Sequence, residues 1–169
     1  WKRVTGVQTC ALPILLRGDA DGAAASEAIV AAALEAAARH RGAMPRSRQW
    51  LLLEVNHELN AARLAEVRAQ PRDALARRQA ATALLQAEVA RAPRDFGLIS
   101  ELALQLADVA FAALQLGEAT LARDAYEAMP ALTARLRAVE PNDVHARLLD
   151  VSSLLGRARL AASSDQLPS

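Results

Sequence analysis

Beyond residue 14 this chain of 169 residues has no cysteine and no lysine, and aromatic residues are only 3% of the whole. The missing cysteines exclude disulfides and thiolate zinc sites from the body of the protein and fit a reducing, cytoplasmic setting. So few aromatics leave little with which to stack the bases of a single-stranded nucleic acid. Glycine and proline are scarce, at seven each, and strand-like runs of β-branched residues are absent. No run approaches the roughly 18 consecutive apolar residues of a membrane span. Charge of one sign is missing too. The 20 Lys plus Arg, less Lys2 and Arg3, leave 18 arginines facing 19 acids, so no general field attracts nucleic acid or an anionic membrane.

What remains is 53% apolar, carried by alanine and leucine at helical spacing almost throughout. Ile99, Leu102, Leu106, Val109, Ala113 and Leu116 recur every three or four residues, with Glu101, Gln105, Asp108 and Gln115 opposite. That is an amphipathic helix with one buried stripe. Ala76, Ala80, Ala83, Ala87 and Ala90 form a stripe of small residues, expected inside a close helix pair. Punctuation predicts about six helices. The first is capped by Asp19 or Asp21 and stopped near Arg41 by Gly42. Others open at Pro45, Pro71, Pro93 and Pro141, where a following Ser47, Asp73, Asp95 or Asp143 can accept first-turn amides. Gly117 closes the helix that holds the apolar stripe. Pro130 falls inside the segment from about Glu118 to Val139. It removes a donor there, so a kink or break is expected near Ala128–Pro130, re-aiming Leu132, Leu136 and Val139.

Pro45, Pro93 and Pro141 are spaced by 48 residues, with two helices between each pair. A fixed period of helix pairs is the signature of a stacked solenoid. The fold class expected is therefore all-α, with antiparallel helix hairpins stacked as a short solenoid. Leu106, Val109, Ala110, Ala113, Gly117, Ala122, Tyr126 and Met129 stand in register with the tetratricopeptide repeat, which this stretch resembles. LARRQAA from Leu75 and LARDAYEA from Leu121 begin alike, as a duplicated second helix would. The boundaries also resemble those of repeats trailing some bacterial serine/threonine protein kinases and winged-helix regulators. The resemblance implies a scaffold that binds proteins or peptides. Its alternative is the regulatory tail of such a kinase or transcriptional regulator, with the catalytic or DNA-binding domain outside this sequence.

Residues 1–14 stand apart. VTGVQTCALPI, with the only cysteine, Cys10, and close to the only lysine, Lys2, resembles a translated reading frame of a sequencing adapter. A secretory signal fits less well, because Thr5, Gly6, Gln8 and Thr9 interrupt its apolar stretch. The expected organisation is a non-native, disordered segment over 1–14, a helical-repeat domain over 15–163 truncated at its N-terminal end, and a disordered tail over 164–169. Gly18, in LLRGDADGAAA, would play the part of Gly117. The first full helix, with Ile29, Ala33 and Ala36 on its face and Val30 and Leu34 beside it, would then lack a partner. Self-association through that end is expected.

Nothing in the sequence resembles an active site, so no catalytic residue, cofactor or metal is assigned and the chain is expected not to be an enzyme. Glu54, His57 and Glu58 put a Glu-x-x-His pair on one helix face. A di-iron site needs a second copy and two further glutamates, so a solvated face is expected. His40 suits a helix C-terminus, whereas His145, in a first turn, does not. Arg63, Arg68, Arg72, Arg77, Arg78, Arg91 and Arg94 outnumber Glu66, Asp73 and Glu88. Nucleic acid is one possible partner for them, but for want of interleaved aromatics a solvated arginine face is expected instead. Asn56, Asn60 and Arg63, at helical spacing, are the candidate peptide-binding groove.

Overall fold

A computed structural model describes residues 20–44 and 47–164, and every regular element among them is an α-helix. The six are α1 (Ala20–Ala43), α2 (Arg48–Val67), α3 (Pro71–Arg91), α4 (Phe96–Gln115), α5 (Ala119–Val139) and α6 (Val144–Ser164). Residues 1–14, Gly18, Asp19 and Pro45 lie outside the described residues, as does the tail beyond Ser164, which is itself the last residue of α6. Gly42 does not stop the first helix but lies within it.

The spacing of the prolines reappears in the helix boundaries. α2, α4 and α6 begin 48 residues apart, at Arg48, Phe96 and Val144, and so do α3 and α5, at Pro71 and Ala119. The local cause is a cap at the same place each time. Ser47 Oγ accepts from the Trp50 amide at 3.5 Å, and Asp95 from the Leu98 amide at 3.1 Å. Asp143 accepts from the His145 and Ala146 amides at 2.8 and 3.2 Å. Each satisfies first-turn donors that the helix cannot. Pro71 alone is a first helical residue, with Asp73 inside the turn it opens. Pro93 and Pro141 stand just outside the helices that follow them.

Two turns share one geometry. After α2, Ala69 N–H donates to Glu66 O and Gln70 N–H to Ala65 O. After α4, Gly117 N–H donates to Leu114 O and Glu118 N–H to Ala113 O. Both are Schellman caps, whose central residue must be left-handed. Gly117 takes φ 76° without penalty, whereas Ala69 at φ 55° carries a Cβ into that region.

The chain packs as two compact units divided between Arg77 and Arg78, inside α3. In the first, α1 and α2 form an antiparallel hairpin. Arg68, just past the end of α2, pairs with Glu27 near the start of α1 at 2.6 Å, and Arg41, near the end of α1, pairs with Glu54. His40 stacks on Trp50, ring centroids 4.3 Å apart. Val30, Ala37, Leu51, Val55 and Leu59 are buried, and Ala62, Ala65 and Ala74 form a small core cluster.

In the second unit α4 packs along α5, and α6 along both. Ile99, Leu102, Leu106, Val109 and Ala113 are buried as their spacing requires, joined by Leu98, Ala103 and Ala110. Gln105, expected opposite, is buried too, its amide donating to Glu101 at 3.0 Å. α4 also averages a hydropathy of 1.5 over 18 residues, enough by length and composition to cross a membrane. Its acids break every apolar run without lowering that mean below the range of a span. Half of this window is buried in the structure.

The small-residue stripe is a correction. Ala76, Ala83, Ala87 and Ala90 are exposed and Ala80 half-buried. α3 buries Ala74, Leu75, Ala81, Thr82, Leu85 and Val89 instead. Larger apolar side chains remove more surface from water than alanine can, so they take the inner face.

Pro130 makes no break, because α5 runs unbroken from Ala119 to Val139. Leu132 and Leu136 are buried, but Val139 is exposed. The proline leaves the Tyr126 carbonyl without its helical donor. Ser153, buried on α6, donates its hydroxyl to that carbonyl at 2.8 Å. Thr133 adds a hydroxyl contact to Pro130 O at 3.2 Å and a hydrogen bond to Asp150, which also pairs with Arg137 at 3.1 Å.

Two outcomes follow for urea unfolding of the whole chain. Ala69→Gly should stabilise by about 0.5–1 kcal/mol, since glycine takes the left-handed turn without strain, and Gly117→Ala should destabilise by about as much. Ser153→Ala should cost about 1–3 kcal/mol by stranding a buried carbonyl. That cost should shrink in a Pro130→Ala background, where residue 130 regains the amide that Tyr126 O lacks. Equal costs in the two backgrounds would contradict the account of Ser153.

Candidate functional site

In the second unit, α4 and α6 flank α5 and leave a groove of about 270 Å³. α4 contributes Ala107, Asp108 and Phe111, and α6 contributes Ser152, Leu155, Gly156 and Arg159, while Tyr126 of α5 completes the lining. Helical spacing puts each set on one face, Asp108 and Phe111 three residues apart and Ser152, Gly156 and Arg159 four and three. Phe111 and Leu155 are each more than half exposed, while Tyr126 is buried. Gly156 makes the floor possible, because a Cβ there would overlap the Tyr126 ring.

Burial raises the Tyr126 hydroxyl above its ordinary pKa, and the charge of Arg159 partly opposes that shift. Asp108 is paired with Arg78 at 3.2 Å. The groove thus presents apolar walls, a neutral phenol ring, and one charge of each sign at its edge. Such a lining orients an apolar side chain that arrives with a few polar groups.

The residues singled out from the sequence lie elsewhere. Asn56, Asn60 and Arg63 share a face of α2 in the first unit, where Arg63 donates to Asn60 Oδ1 at 3.1 Å. The signal that finds the groove is the period itself. Adding 48 to these three numbers reaches Leu104, Asp108 and Phe111, and adding it again reaches Ser152, Gly156 and Arg159. All but Leu104 of those six line the groove. The period was legible, but the cavity that these later positions enclose was not.

Glu54, His57 and Glu58 do not form the solvated face expected of them. His57 is buried, and the Glu54 and Glu58 side chains are only 12% and 14% exposed, paired with Arg41 and, at 3.2 Å, Arg77. Among the described residues no group of three or more His, Cys, Asp or Glu could hold a metal ion. Of the arginine-rich stretch, Arg68, Arg77, Arg78 and Arg91 are ion-paired, with Glu27, Glu58, Asp108 and Glu88. At these four positions its positive charge is interleaved with carboxylates.

No protein-family model, no curated protein and no solved structure matches this chain.

His57 Nδ1 has no hydrogen-bond partner, and burial lowers its pKa below the ordinary 6.5. Below that pH the unfolded chain takes up a proton that the folded chain resists, so this group makes stability fall on acidification. Between about pH 7.5 and pH 5, the wild-type chain should lose more unfolding free energy than His57→Gln. Parallel pH profiles for the two would remove His57 as the cause.

Proposed function

We propose that this chain is a non-catalytic helical-repeat module that binds another protein in the cytoplasm, through a peptide segment whose apolar side chain enters the α4–α6 groove. The observation that carries the reading is the pair Phe111 and Leu155, exposed at the mouth over the buried Tyr126 ring. Large apolar groups held open to water beside a preformed concavity are the usual anchors of a protein contact.

The repeat reading is supported by helix boundaries that return every 48 residues. The left-handed Gly117, with Ala122, Tyr126 and Met129 buried behind it, supports the tetratricopeptide-like reading of α4–α5. In that reading the equivalent face on α2, in the first unit, carries Asn56, Asn60 and Arg63 as polar binding residues. Nothing in the groove pairs a nucleophile with a base, and its arrangement suits recognition rather than turnover.

The test is selection of peptides from a random displayed library on the whole chain, followed by titration. Peptides that bind should carry an aromatic or branched aliphatic anchor. Phe111→Ala should weaken them about tenfold or more, as should Ala107→Leu, which fills the groove. Selected peptides that bind both variants as well as the wild type would show that the groove is not the site.

A further inference from the structure

α6 is apolar on two opposite faces. Ala146, Leu149, Ser153, Gly156 and Leu160 are buried on the side that packs along α5. Val144, Leu148, Val151 and Leu154 lie on the other side, exposed by 67, 59, 52 and 62%. Their spacing holds them in one stripe along the helix, which Ala158 extends. A helix apolar on both sides is one made to be covered on both. α4 gives the comparison within the chain, because Ala103 and Leu106, 48 residues before Val151 and Leu154, are 0 and 4% exposed.

We propose that this stripe is the two-fold interface of a homodimer, in which α6 pairs antiparallel with the α6 of a second copy, centred on Val151. The stripe is complementary to itself in that orientation, as an isologous contact requires. With Val151 at the axis, Val144 faces Ala158 of the second copy, and Leu148 faces its Leu154.

Charge selects the same orientation. Glu140 and Asp143 stand at the N-terminal end of α6 and Arg159 towards its C-terminal end, while Arg157 is turned to the other side, beside Arg123 and Glu127 of α5. Antiparallel pairing sets the acidic end of each copy beside the basic end of the other and opposes the two helix dipoles. Parallel pairing would bring arginine against arginine. Arg147, near the acidic end, is turned back on the preceding loop, donating to Pro141 O and Asn142 Oδ1 at 3.0 Å each. The self-association expected at the N-terminal end moves to α6, because on α1 only Ile29 of the anticipated face is exposed, with Ala33 and Ala36 half-buried.

The experiment is sedimentation of the whole 169-residue chain over a wide concentration range, beside Leu148→Glu and Val151→Glu. Both positions are exposed, so the variants should keep the wild-type circular dichroism and, at concentrations where the wild type is monomeric, its melting temperature. The wild type should show a monomer–dimer equilibrium and the variants only monomer. Their affinity for peptides selected on the groove should be unchanged, so this proposal and the groove reading fail separately. In a Cys10→Ser background, Val151→Cys should oxidise to a covalent dimer and Val144→Cys should not. A wild-type chain that stays monomeric, a dimer indifferent to both glutamates, or equal cross-linking at 144 and 151 would overturn the proposal.

Discussion

The second unit depends on one hydrogen bond between helices. Pro130 deprives the Tyr126 carbonyl of its helical donor, and Ser153 replaces that donor from α6. An unpaired carbonyl at this depth would cost more than a surface one, since no water reaches it. The replacement comes from the neighbouring helix, so repairing α5 also fixes the distance and rotation of α6. Gly156, three residues on, then lies over the Tyr126 ring with no room for a Cβ. The ring becomes the floor of the groove, and the stripe opposite Ser153 is turned outwards.

The polar position that Ser153 occupies recurs with the period. His57 and Gln105 stand 48 residues apart, and Ser153 follows 48 later, each at most 4% exposed. The three solve burial differently. Ser153 gives its proton to a carbonyl that needs one, and Gln105 donates to Glu101 while its own oxygen stays unpaired. His57 leaves Nδ1 unpaired and has its pKa lowered. One position in the 48-residue period thus serves as a helix clamp at Ser153 and as a source of acid sensitivity at His57.

Much of the architecture was legible because it is written in short-range rules. Caps at Ser47, Asp95 and Asp143 act within three residues, and the left-handed Gly117 acts within its own turn. The spacing of Ile99, Leu102, Leu106 and Val109 declares which face is inward, whatever lies against it. Ala69 in the same left-handed role was not legible, because alanine carries no mark of that conformation and only the turn imposes it. The alanine stripe on α3 misled for a related reason. Small residues permit close packing without requiring it, and Leu75, Leu85 and Val89 had the stronger claim to the interior.

By itself the sequence determined that the chain is helical, where each described helix after the first begins, and that the boundaries recur at 48 residues. It did so because capping, helical periodicity and turn chemistry operate over a few residues. Only the tertiary structure decided that α5 continues through Pro130 without a break, because the donor that rescues it comes from 27 residues away. The same holds for the groove. Phe111, Tyr126 and Leu155 are ordinary helix residues in sequence, and only the packing of three helices sets them around one cavity.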